Sequence, residues 1–129
     1  MSEKTMIRTG WALSVLLALF IFSASAAPKL LGLPIAQETM AALGWPTAPV
    51  LLIGMMELGF TILFLIPTTG LLGAVLMMGI LGGAMATQIR AGRPLFSHTP
   101  FSIYLGLFMW GGLWLRDPGF RALFPIRRP

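Results

Sequence analysis

The sequence predicts an all-α integral membrane protein, a four-helix bundle with a short amphipathic helix in its first loop. Three observations predict it. Hydrophobic residues make up 57% of the 129 and charged residues only 10%, where a soluble domain carries about 25% charged. Mean hydropathy is +0.86. The apolar residues gather into four runs, near 9–27, 48–66, 70–88 and 101–115, separated by Pro, Gly and basic residues. A single domain, 1–129, holds all four.

The first run, Thr9 to Ala27, follows Lys4 and Arg8. Its charged start and the small residues Ala24-Ser25-Ala26 also suit a signal peptide. Its apolar part reaches the lower length limit for a spanning helix, and the expectation is an uncleaved span. Pro28 to Thr47 is the longest connection; within it PIAQETMAALG reads as a short amphipathic helix, Pro34 in its first turn and Gly44 at its C-cap. Trp45 suits a headgroup-level anchor.

The second run, Ala48 to Ile66, holds one carboxylate, Glu57, at its middle. Such a charge costs roughly 2.5–3.5 kcal/mol on insertion scales, so the group faces the bundle interior, pairs, or carries a proton. Two readings stay open: a buried structural carboxyl, and a ligand or proton site. Pro67-Thr68-Thr69-Gly70 then turns the chain into the third run, making an antiparallel hairpin. Helical rise puts Glu57 roughly 15 Å from that turn, level with Gly79, so the expectation is a carboxylate facing a glycine surface, without a counter-ion. Thr61, one turn along, is the expected hydroxyl partner. Gly79, Gly82 and Gly83 form small-xxx-small faces for close helix packing.

The third connection carries Arg90, Arg93 and His98; the fourth run, Phe101 to Leu115, is the shortest. The basic tail RDPGFRALFPIRRP, with its Phe and Leu, reads as a strip at the headgroup level. With an even number of spans both termini share a side. That side carries six basic residues near span ends against three opposite, Lys29, Arg90 and Arg93, so both termini are expected in the cytoplasm of a bacterial-type inner membrane.

On the opposite side Ser25, Lys29, Gln88, Arg90 and His98 converge above Glu57. Arg90 lies roughly 15 Å shallower than Glu57, too far for a direct ion pair between straight helices. An acidic group below a basic mouth describes a pocket for a small amphipathic ligand; snorkelling to headgroups is the alternative for each cation. No catalytic residue is assigned, since one deep carboxylate has no second partner for hydrolysis. One His and no Cys give no conventional transition-metal site and no thiol chemistry. The net charge of +5 lies in loops and tails, which suits anionic lipid and not nucleic acid.

The pieces FSASAAPKL, LGWP, GMMELGFTILFLIP, GAVLMMGILGGAMATQIRAGRP and WGGLWLRDPGFRALFP, with His98 before the last, resemble the DoxX-like family over nearly the whole chain. The resemblance implies a four-helix bundle in the cytoplasmic membrane, with polar positions at Ser25, Lys29, Glu57, Arg90 and His98. Ser25-Ala26 stands where the family often has Ser-Gly, and Pro28 beside Lys29 is a departure that predicts a kink. The family's name comes from a subunit associated with quinol oxidation, which makes a quinone or a lipid the cofactor to consider; none is evident from the residues. Three functions stay open: an accessory or ligand-binding subunit, a quinone- or redox-linked component using Glu57 for protons, and a structural partner of a larger membrane complex or of a second copy.

Overall fold

The computed structural model describes residues 2–45, 49–92 and 101–127, all helical or connecting, with no strand among them. Ser2 caps α1 (Glu3–Ile21), its hydroxyl accepting from the Thr5 amide at 3.2 Å. The helix does not end where the apolar run does. It widens into a π-turn at Phe22–Ala26 and continues as α2 (Ala27–Leu30). Pro28 explains the widening. It has no N–H for an ordinary helical bond, and its ring would strike the carbonyl four residues back. A turn closed by the Ala27 amide on the Phe22 carbonyl, five residues apart, opens that space. The buried stripe Gly10, Ser14, Leu17, Ala18, Ile21 accordingly steps five residues to Ala26.

α3 (Pro34–Ala42) is the amphipathic helix of the first loop. It ends through Gly44 at φ +91°, whose amide bonds the Ala41 carbonyl while the Trp45 amide bonds that of Met40. This pair of bonds satisfies the last carbonyls, and the positive φ requires glycine. α3 lays Ala36 and Met40 on Val50.

α4 (Val50–Leu65) and α5 (Gly70–Arg90) form the expected hairpin, closed by the Thr69 hydroxyl donating to the Leu63 carbonyl at 2.8 Å. α6 (Phe101–Arg116) follows, then α7 (Pro118–Leu123), a short helix the run analysis does not anticipate. Asp117 and Pro118 are its start signal: the carboxylate accepts from the Phe120 amide, and proline suits the first turn.

α1 packs on α6, α6 on α5, α5 on α4, and α4 on the π-turn and α2. The shared core is Leu17, Ile21, Phe64, Ala74, Met77, Leu81, Met109, Leu113 and Phe120. Each long helix also shows large apolar side chains to the outside, including Leu16 and Leu19, Leu51 and Leu52, Leu72 and Val75, Leu107 and Phe108. A water-soluble bundle carries polar residues there. Here the outward face is apolar and the buried α4 stripe holds Glu57 and Thr61, an arrangement suited to lipid.

Glu3–Leu30 and Gly70–Arg90 are long and apolar enough to cross a membrane. α4 is apolar but has 16 residues, about 24 Å of helix, short of the roughly 30 Å hydrocarbon thickness; α6 is apolar over the 16 residues described from Phe101 onward. Among the described residues length therefore marks two of the four expected spans. The two ends of the chain meet, Arg121 donating to both Glu3 carboxylate oxygens at 2.5 and 3.1 Å.

Close packing runs through glycines other than those expected. A Cβ on Gly10 would lie 2.6 Å from the Gly112 carbonyl oxygen, and one on Gly73 would strike the Phe64 backbone. At Gly79, Gly82 and Gly83 no described atom lies within 4 Å of such a Cβ. The 3.6-residue period decides this: Gly70, Gly73, Ala74, Met77 and Leu81 make the inward face of α5, leaving the other three glycines outward or sideways.

Candidate functional site

α4 buries one face built from Val50, Gly54, Glu57, Thr61 and Phe64, a stripe at helical spacing. The upper part of that face meets the π-turn and α2. Gly54 permits the approach, since a Cβ there would lie 2.8 Å from the Lys29 Cβ. Lys29 then reaches inward along α4, and its Nζ lies 2.9 Å from Glu57 Oε1. The same ammonium donates to the Ser25 hydroxyl at 2.7 Å and to the Ser25 carbonyl oxygen at 3.3 Å. The side chains are 14% and 7% exposed, so the pair is largely shut away from solvent.

This corrects the expectation of a carboxylate without a counter-ion. Depth along the helix was readable, but the direction of the side chain was not: Glu57 faces α2, whereas Gly79 lies on another side of α5. Lys29 comes within reach because the helix continues past Pro28.

Two polar atoms at the pair remain unmatched. Glu57 Oε2 and Thr61 Oγ1 are buried and make no hydrogen bond to any described residue. Thr61 therefore shares the face with Glu57 without bonding it. A buried carboxylate oxygen with no partner costs free energy, on the order of 1–3 kcal/mol or more for a charged group. Cores keep few such atoms, and where they occur a role is expected.

The remaining sequence-derived positions fall elsewhere. Arg90 does not approach Glu57. It donates to the Leu43 carbonyl oxygen at 3.3 Å and lies over the Trp45 ring, 5.7 Å from its centre, fastening the end of α3 to the end of α5. Gln88, half-buried near the end of α5, has an Oε1 without a described partner. His98 lies outside the described residues. No group of three His, Cys, Asp or Glu side chains suited to a metal occurs among the described residues.

A second buried cation was missed from the sequence. Arg116 is 6% exposed at the end of α6. It donates to the Phe64 carbonyl near the end of α4, with its guanidinium 4.3 Å from the Trp11 ring centre and 4.4 Å from that of Phe64. A cation at a helix C-terminus meets the negative end of the helix dipole, and the flanking rings add a cation–π contribution. Arg116 is thus a fastening between α1, α4 and α6. The only sequence signal for it is an arginine placed directly after the aromatic run of α6.

Residues 12–112 match the model of the DoxX-like family. That span contains Ser25, Lys29, Glu57, Thr61, Gln88 and Arg90, and leaves out Arg116 and α7. No curated protein and no solved structure matches the chain.

Proposed function

The chain belongs to the DoxX-like family, and on that premise we propose that it is a ligand-binding or accessory subunit whose working part is the Lys29–Glu57 site. In this reading α1 with α2, α4, α5 and α6 form a single-domain four-helix bundle in a bacterial-type inner membrane, with α3 lying across one mouth. Both termini face the cytoplasm. The observation that carries the reading is the pairing of two facts at one place: a buried ion pair, and beside it a carboxylate oxygen and a hydroxyl that the described residues leave without partners. Ser14 and Arg116 also hold unmatched buried polar atoms; what sets this place apart is that two such atoms adjoin a buried ion pair.

The test is retention of a small molecule through purification. Wild-type protein and the variants Glu57→Gln and Thr61→Val, each shown to be helical by circular dichroism, are isolated in lipid nanodiscs. Extracted small molecules are then compared by mass spectrometry. The reading expects a species enriched with wild type and depleted in both variants; identical extracts from all three would refute it. Topology is tested separately. The chain has no cysteine, so single cysteines placed at Ser2 and Arg127 should be blocked only by a membrane-permeant thiol reagent in intact cells.

A second reading, docking on a membrane partner or second copy, is favoured by Gly79, Gly82 and Gly83, which leave part of α5 open to close approach. Gly79→Leu with Gly83→Leu should then change the oligomer seen in cross-linking. An unchanged pattern counts against it.

A further inference from the structure

We infer that the ligand of the Glu57 site is a neutral molecule bearing an O–H group, an alcohol or phenol, and that anions and carbonyl-only compounds are excluded. The inference rests on the binding-site reading above and follows from counting donors and acceptors. A lysine ammonium has three N–H donors. In Lys29 all three are directed within the protein, to the Ser25 carbonyl, the Ser25 hydroxyl and Glu57 Oε1. The cation therefore has no donor left for an incoming anion, although a lysine in a membrane site would ordinarily be read as an anion holder.

What the described residues leave without a partner is Glu57 Oε2, which accepts, and the Thr61 hydroxyl, which does both; both atoms are buried. They stand one helical turn apart on the same face of α4. An O–H group matches that pair in hydrogen-bond valence: admitted between the buried side chains as they part, it would donate to Oε2 while its oxygen accepts from Thr61. A ketone or quinone carbonyl offers no donor and would leave the carboxylate oxygen unmatched.

Charge points the same way. Lys29 and Glu57 cancel, so a neutral ligand keeps the buried cluster neutral. An anion or a cation would leave one uncompensated charge in a low-dielectric site. The alcohol class is thus selected twice, by hydrogen-bond valence and by charge.

Three probes of matched chain length separate the possibilities: 1-decanol, 2-decanone and decanoate, added to the full-length protein in nanodiscs. The readout is the Glu57 carboxylate stretch, isolated as the infrared difference between wild type and Glu57→Gln. Decanol should shift this band and bind about tenfold more tightly than either other probe, the discrimination expected for one hydrogen bond to a charged oxygen. Thr61→Val should weaken decanol and decanone alike, since both accept from its hydroxyl, and should leave the preference for decanol, which rests on Glu57 Oε2, in place. Equal or tighter binding of decanone or decanoate, seen as a shifted band, would overturn the assigned class while the site itself stands. No shift with any probe would remove the binding site as well. Should Glu57→Gln fail to fold, carboxyl-labelled glutamate in wild type and Thr61→Val serves instead, since only Glu3, Glu38 and Glu57 would report.

Discussion

Replacing Lys29 by methionine is the most informative single perturbation of this fold. The side chain keeps most of its length and loses its charge, leaving Glu57 with no partner on either oxygen. At 2.9 Å the ion pair has a Coulomb energy of about 6 kcal/mol for an effective dielectric near 20. Part of that only offsets the desolvation of two groups that are 14% and 7% exposed. The net penalty of orphaning one partner of a buried pair is about 3–5 kcal/mol, a large share of the roughly 5–15 kcal/mol that holds a domain folded. Combining Lys29→Met with Glu57→Leu removes both charges, and such apolar replacement is commonly neutral or stabilising. The double variant should therefore recover most of the loss, a coupling of about 3 kcal/mol. The assay is denaturant unfolding in mixed micelles, followed by tryptophan fluorescence, for wild type, both single variants and the double variant. Single variants that each lose under about 1 kcal/mol and add without coupling would refute the reasoning, because they would show that the pair is neither buried nor mutually dependent.

Four further outcomes are expected. Ser25→Ala removes one acceptor of the Lys29 ammonium and should cost about 1–2 kcal/mol in the same unfolding assay. Gly73→Ala, whose Cβ would strike the Phe64 backbone, should destabilise by about 1–3 kcal/mol, whereas Gly79→Ala in open space should be neutral or gain up to about 1 kcal/mol from helix propensity. Arg116→Met should lose about 1.5–3 kcal/mol by removing the charged bond to the Phe64 carbonyl, with Trp11 fluorescence reporting the loosened contact. The hydrogen bond from Arg121 holds the Glu3 carboxyl below its ordinary pKa. The clasp between the chain ends is therefore fully present above the unfolded carboxyl value and is lost as pH falls through the depressed one; a carboxyl-labelled NMR titration should show this, and Glu3→Gln should abolish the pH dependence of cross-linking between the ends.

The sequence made the elements legible and left their rotation obscure. Runs of apolar residues and the Pro67–Gly70 turn located the hairpin, and Pro34 with Gly44 bounded α3, because proline and glycine impose local geometry wherever they stand. Glu57 stood out because charge in an apolar run is expensive. Its counter-ion did not stand out. A run analysis ends the first helix at Ala27, so Lys29 looked like a loop residue at the mouth; the π-turn carries it on as a helical residue facing α4. The same limit hid which glycines pack within the bundle. Spacing of four marks Gly79 and Gly83 as a pair, but the core claims Gly70, Gly73 and Gly112 instead. Arg116 escaped notice because an arginine at the end of an apolar run ordinarily reaches for headgroups, and nothing local says that Trp11, far away in sequence, forms one wall around it.

The wide turn at Phe22–Ala26 has a consequence for how this protein tolerates change in length. One surplus residue is absorbed there, so α2 is clocked about 100° from where an unbroken helix would put it. Deleting a single residue between Phe22 and Ala26 would bring Ile21 and Ala26 to a spacing of four, which an ordinary helix keeps on one face, so the ammonium would stay beside its carboxylate; adding one there would swing it away, although no group in the pair had been altered. Single-residue insertions in that short segment are thus a mutation class of their own: they leave composition and hydropathy nearly untouched and act as a change of phase.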